Sequence, residues 1–213
     1  MQYFPKVNEK EIEENHRHFS ERISLYKERG LDFIKNREFI LAKAGVLDGN
    51  ILEIGAGSGY TTLALAKAGY KFISIDIDKE ALKTTALNLA YEKVLSNVEF
   101  YVMDGMSLDF KNSSIKNVII VNLFHHIKSG INKILSEIGR VLCANGKLVL
   151  ADFNDKGMKI VEGVHKQEGR VHENAGVSED YVHSYFHSLG YEIKRYQDMC
   201  HWIIITKMDK RLK

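Results

Sequence analysis

Three glycines spaced two residues apart follow a short apolar run that carries one acid: Ile51-Leu52-Glu53-Ile54-Gly55-Ala56-Gly57-Ser58-Gly59-Tyr60. The apolar run lacks polar alternation and reads as a strand buried on both faces, as in a parallel sheet. Thr61 to Ala66 resume as a helix, so the glycines fall at a strand-to-helix turn. Glycine alone bends this sharply at low cost and lets backbone amides approach a ligand closely. The chemistry expected here is a cofactor cradle built from Glu53, Gly55, Ala56, Gly57, Gly59 and Tyr60. About twenty residues past Gly55 a second strand, Lys71 to Asp76, ends in a carboxylate, with Ile77 next to it; an acid at that point accepts the hydroxyls of a ribose. Helix capping is the alternative role for Asp76, although Asp78 is better placed for it.

Four further places carry groups able to do chemistry. Val98 to Met103 reads as a third strand running into Asp104-Gly105, which by itself is an ordinary turn. A fourth apolar strand, Asn117 to Leu123, leads from Asn122 and Leu123 into Phe124-His125-His126. In open α/β sheets ligands bind beyond such strand ends, so His125 is the candidate general base, with a turn into the next helix as the alternative. Asp152 closes a fifth strand, Lys147 to Phe153, and is either a pocket residue or a helix cap. In the segment 164–173, His165, Glu168 and His172 would share one helical stripe and could hold zinc or iron. Gly169 and the lack of His-Glu-x-x-His spacing favour a solvent-facing stripe instead. With Arg170 and Glu173 these three are also candidates for contacting a second substrate.

The glycine spacing separates two cofactor classes. A dinucleotide fingerprint wants a small residue where Tyr60 stands. The pattern Glu53-x-Gly55-x-Gly57-x-Gly59 instead resembles the first motif of the class I S-adenosylmethionine-dependent methyltransferases. Matching features recur in order to about Phe153, including LCANGKLVLADF from Leu142 to Phe153. The resemblance implies that Glu53 and the glycine turn hold the methionine end of S-adenosylmethionine, Asp76 the ribose, and Asp104 the adenine amino group, with Met103 against the ring; Gly105, Asn122 and Leu123 are further cofactor-binding candidates, the last two facing the transferred group. The His125-His126 pair, in place of an Asn/Asp-Pro-Pro-Tyr segment, resembles the small-molecule (type 11-like) branch. The implied partner is a small methyl acceptor, and leading helices that cover the cofactor make Tyr3, Phe4, Phe19 and Tyr26 pocket candidates beside the plainer reading of helix packing.

Positioning these groups takes an α/β fold: a doubly wound, mostly parallel sheet of seven strands, ending in an antiparallel hairpin from Tyr191 to Tyr196 and His201 to Thr206. Ile12, His16, Phe19, Ile23 and Tyr26 mark a first helix ended by Gly30, and Phe33, Ile34, Ile40 and Leu41 a second. Ala81, Leu82, Ala86, Leu89 and Ala90 mark one helix between strands, and Ile131, Ile134, Leu135, Ile138, Val141 and Leu142 another. Ser178 caps a last helix with Val182, Tyr185, Phe186 and Leu189 inward and His183 and His187 outward. One domain is expected over 1–213: a helical cap (1–46), a cofactor-binding core (47–153), and an acceptor loop with the last helix and strands (154–213).

The 213 residues carry 30 basic and 28 acidic side chains, a net charge of +2, which offers no field for a nucleic acid or a membrane surface. Two cysteines, no leader-like start and no spanning stretch point to the cytoplasm. The oligomeric state stays open. Two other readings remain: a nicotinamide-dependent oxidoreductase, which would share Asp76 but not need Asp104, and a non-catalytic cofactor- or metal-binding protein that uses the His/Glu stretch.

Overall fold

The structure is a computed structural model that describes residues 1–169 and 176–208. In chain order the elements are β1 (Gln2–Tyr3), α1 (Glu9–Glu28), α2 (Phe33–Ala44), β2 (Ile51–Ile54), α3 (Tyr60–Lys67), β3 (Phe72–Asp76), α4 (Lys79–Tyr91), β4 (Val98–Val102), β5 (Ile115–Val121), α5 (Ile131–Val141), β6 (Leu142–Phe153), α6 (Asp155–Gln167), α7 (Glu179–Ser188), β7 (Tyr191–Gln197) and β8 (His201–Met208). The strands form one sheet in the order β1-β4-β3-β2-β5-β6-β8-β7. From β4 to β6 the neighbours are parallel, while β8, β7 and β1 run antiparallel to theirs. The chain therefore winds outward from β2 in one direction and, from β5, in the other. The crevice at the reversal between β2 and β5 is where such sheets bind ligands.

The period of two along a strand divides the core between the two faces. Val118 and Ile120 of β5 join Leu52 and Ile54 under α5 and α7. Ile119 and Val121 join Ile51 under α2, α3 and α4. On α5 the inward positions Ile134, Leu135, Ile138 and Val141 are buried, each contributing roughly 2 kcal/mol by leaving water. A third, smaller cluster forms the cap over the strand ends, where Tyr26, Leu31 and Phe33 meet Phe153, Met158, Val161 and Val164.

Several boundaries differ from the sequence expectation. The sheet has an eighth strand, because Gln2 and Tyr3 pair with Tyr101 and Phe100; a two-residue strand is too short to show alternation. β6 begins at Leu142, which pairs with Ile115 before a bulge that takes up Asn145-Gly146. β8 runs on through Lys207 to Met208, two residues past the expected end at Thr206. On α2 Ile34 is 55% exposed and the inward face is Phe33, Asn36, Arg37, Ile40 and Ala44. These positions keep helical spacing; the apolar stripe was misassigned because its middle is polar. Leu189, expected in the core of α7, is likewise exposed, leaving Val182 and Phe186 as the buried pair.

Candidate functional site

The glycine turn is held by local bonds that leave its backbone bare. Gly55, Gly57 and Gly59 all have positive φ, at 86°, 53° and 83°. Asp76, at the end of the adjacent β3, accepts from the Gly57 amide with Oδ2 at 2.9 Å and from the Asp78 amide with Oδ1 at 2.9 Å. Thr85 of α4 donates to the Gly57 carbonyl. Asp78, not Asp76, caps α4 by accepting from Glu80 N. A Cβ on Gly59 would lie 3.2 Å from the Thr85 backbone, whereas one on Gly57 would meet nothing within 4 Å. The turn is thus packed from behind and open in front.

In front of it lies a cleft of about 320 Å³ lined by Gly55, Ala56, Gly57, Tyr60, Asp76, Asn122, Leu123 and His125 of the predicted residues. His165 reaches it from α6, together with Tyr26 and Phe33 from the cap. Asn122 has φ 57°, a left-handed conformation that asparagine tolerates better than most residues and that turns the chain at the end of β5. Ile77 stands on the rim, 69% exposed. Met103 is half-buried and Asp104 exposed at the end of β4, one strand further out; neither they nor Gly105 line the enclosed cleft. Asp104 Oδ1 accepts from the Met106 amide, the local turn expected of an Asp-Gly pair.

Glu53 sits beneath the turn, 1% exposed and off the cleft wall. Its Oε2 accepts from Thr62 and Ser74 hydroxyls at 2.8 and 2.6 Å, while Oε1 is buried with no partner. Burial pushes its pKa up to about 7 against those two hydrogen bonds.

His125 lies on a single 3-10 turn, Phe124–His126, that follows β5. Asp152 grips it twice, with Oδ1 2.6 Å from the ring Nδ1 and Oδ2 accepting from the backbone amide at 3.0 Å. Asp152 is therefore a partner of the imidazole, the role left open between pocket and cap; Asn154 caps α6 instead. A neutral imidazole whose Nδ1–H donates to a carboxylate carries its lone pair on Nε2. His125 and Phe153 also border a second cleft of about 770 Å³, lined by Met158, Met199, Trp202, Lys156 and Glu162 among others.

The metal reading does not fare well. α6 ends at Gln167, with Glu168 as its C-cap, and Glu168 pairs with Arg22, Nη1 to Oε1 at 2.6 Å. Among the described residues no group of three His, Cys, Asp or Glu side chains could hold a metal ion. Arg170, His172 and Glu173 lie outside the described residues. Of the aromatic candidates, Tyr26 lines the cleft and Phe19 stacks on Tyr60, while Phe4 is exposed and Tyr3 sits against Lys79.

Two basic cleft residues escaped the sequence reading: Arg22 of α1 and Arg37 of α2. Arg37 is 3% exposed, donates from Nε to Thr61 Oγ1 at 3.1 Å and from Nη1 to Asn36 Oδ1, and lies over the Phe33 ring. The signal was available: Asn36 and Arg37 hold the inward register between Phe33 and Ile40, where a charged side chain is costly without a purpose.

Comparison with known proteins agrees with this geometry. A family model described as a methyltransferase domain matches residues 51–146. The chain is 27% identical over 163 residues to a protein of Bacillus subtilis (strain 168) named an uncharacterized methyltransferase, covering 76% of this chain and 64% of that one. It is 31% identical over 143 residues to a ubiquinone/menaquinone biosynthesis C-methyltransferase of Rickettsia prowazekii, covering 64% of this chain and 55% of the relative. A probable ribosomal RNA small subunit methyltransferase A of Methanococcus maripaludis is 36% identical over 116 residues, 52% of this chain and 43% of that one. The chain thus spans less than two thirds of the curated relatives it matches. Among solved structures, a SAM dependent methyltransferase from Aquifex aeolicus superposes with a TM-score of 0.63 over 82% of this chain and 90% of its own, at 18% identity, a likeness of fold.

Proposed function

We propose, for a chain that carries a class I S-adenosylmethionine-dependent methyltransferase domain, that it transfers the methyl group of that cofactor to a small molecule bound against His125. The cofactor, when bound, supplies an electrophilic methyl group on a sulfonium, so the protein's tasks are to orient, to exclude water and to take a proton where the acceptor must lose one.

One observation carries the reading: a bare glycine turn faces a strand-end cleft while Asp76 holds its middle amide. The residues present fit the group. Gly57 leaves backbone surface that a Cβ would fill. Asp76 spends one lone pair of each oxygen on an amide and keeps the others for ribose hydroxyls. Exposed Ile77 and half-buried Met103 offer apolar surface for adenine, and Asp104 keeps one oxygen for its amino group. Asn122 and Leu123 close the floor beside Gly55.

His125, fixed in one tautomer by Asp152, is the base of this proposal. The acceptor lies beside His125 and Phe153, which border both clefts. The balanced charge of the chain supports a small acceptor over a ribosomal RNA. Both cysteines are free thiols and no described helix is long and apolar enough to cross a membrane, and a cytoplasmic setting fits the former.

Titration calorimetry with S-adenosylhomocysteine should show binding, and labelled S-adenosylmethionine should transfer its methyl to a member of a phenol, quinol, amine and thiol panel. No binding would sink the proposal; methylation of an rRNA transcript alone would overturn its acceptor half. With an acceptor that must lose a proton, His125→Asn should lower kcat by about 100-fold and leave S-adenosylhomocysteine affinity within a few-fold.

A further inference from the structure

Arg37 presents an electrostatic account that the protein alone does not close. Arg37 is 3% exposed, yet both of its hydrogen-bond acceptors, Thr61 Oγ1 and Asn36 Oδ1, are neutral. Among the described residues no carboxylate forms an ion pair with it; Asp198, Glu53 and Asp152 act on it only through space. Burial without a direct partner pulls its pKa down to about 10, which still leaves it charged at neutral pH. A buried charge is normally paired, because leaving water is costly to either member alone.

The side chain is also held in place more firmly than packing needs. Phe33 lies under it, with the guanidinium 5.2 Å from the ring centroid, and Tyr60 flanks it at 6.0 Å. Asn36, which takes one of its N–H groups, is itself anchored to Asp198 and to His201 at the start of β8. Thr61, which takes another, stands in the first turn of α3 directly after the glycines. The fork of donors is thereby braced from behind and borders the same cleft as Gly55, Ala56 and Gly57.

We propose that Arg37 is the anchor for the carboxylate at the methionine end of the cofactor, completing in the loaded protein the ion pair that the chain leaves unmade. The inference rests on the cofactor reading above and adds a residue and an atom to it. With the ribose at Asp76, the amino-acid end of an extended nucleoside must run past Gly55 to Gly57, away from β3 and toward the start of α3. That is where the guanidinium stands. A planar carboxylate matches its two-donor fork, which a lysine in its place would not offer. Glu53, buried beneath the turn, is then a support of the cradle and not the contact to the amino acid.

The test compares two ligands that differ at that end. S-adenosylhomocysteine carries the amino-acid carboxylate; 5′-methylthioadenosine keeps the nucleoside and sulfur but lacks it. Calorimetry on unaltered protein, Arg37→Met and Arg37→Lys should show S-adenosylhomocysteine weakened by about 10- to 100-fold in Arg37→Met and by less in Arg37→Lys. Affinity for 5′-methylthioadenosine should stay within about twofold in both. Equal weakening of the two ligands would mark Arg37 as a structural support and overturn the proposal, as would unchanged affinity for S-adenosylhomocysteine. Should Arg37→Met fail to fold, Arg37→Lys carries the same comparison. Failure of the unaltered protein to bind either ligand would instead strike the reading of the whole cleft.

Discussion

A carboxyl group enclosed with one oxygen satisfied and the other bare makes Glu53 a titrating weak point of the fold. Its pKa rises from an ordinary value of 4.5 to about 7, burial being the main cause. Between those two values the folded protein keeps a proton that the unfolded chain has released. Stability is therefore full below about pH 4.5, falls as pH rises through the window and stays reduced above pH 7, by roughly 3 kcal/mol. Glu53→Gln keeps an acceptor for Thr62 and Ser74 and cannot ionise. Denaturant unfolding at pH 5 and pH 8 should show the native protein losing on the order of 2 to 3 kcal/mol against this variant across that range. A difference that does not move with pH would mean that Glu53 titrates normally. The same residue marks a limit of reading chemistry from motif alone. Its position before the glycines was plain in the sequence, but whether it faces the ligand or lies under the turn depends on Thr62 and Ser74, which arrive from α3 and β3.

At the scale of elements, one turn separates folding from binding. Gly57 and Gly59 both have positive φ, which costs an alanine about 1 kcal/mol. They differ in what a Cβ would touch: open cleft at Gly57, the backbone and hydroxyl of Thr85 at Gly59. Gly57→Ala is expected to lower the melting temperature by only a few degrees while weakening S-adenosylhomocysteine binding by at least tenfold. Gly59→Ala should cost clearly more stability, because α3 and α4 must move apart. Reversal of that order, read from melting curves and calorimetry, would mean that the cofactor does not lie over Gly57. What was legible followed the strength of the periodic signal. The parallel strands, α5 and the C-terminal hairpin announced themselves through unbroken apolar runs or regular spacing. α2 did not, because Arg37 and Asn36 interrupt its inward stripe and Ile34 imitates one, and β1 is two residues long. The glycine turn, Asp76 and His125 were legible because each sits next to a strand end. Arg22 and Arg37 were not, because helices distant in sequence bring them to the cleft and only packing shows it.

At the scale of the molecule, the cleft lies between two layers, the sheet ends and the helical cap. The sheet ends supply the floor, and α1, α2 and α6 the roof. The roof is tied down at several points: α1 reaches α4 through Glu11–Lys83 and Asn15–Asn88, and reaches the end of α6 through Arg22–Glu168 and Arg29–Gln167. Exposed ion pairs of this kind contribute at most about 1 kcal/mol each, so the apolar contacts of Tyr26, Phe33 and Val161 with Phe153 hold the roof more than these polar ties do. A ligand gripping both layers adds stability through mass action, about 2.7 kcal/mol at a concentration a hundred times its Kd. For a chain of this length that corresponds to a rise in melting temperature of roughly 5 to 10 °C. The distribution of the effect is the sharper prediction. Hydrogen exchange should slow on adding S-adenosylhomocysteine not only in the glycine turn and the end of β3 but also in the first turns of α2, where Phe33 and Arg37 face the cleft. Protection confined to the sheet ends would mean that the cofactor is held from below alone and that the helical cap serves the acceptor; protection spreading into α2 means that the cofactor is gripped from both layers.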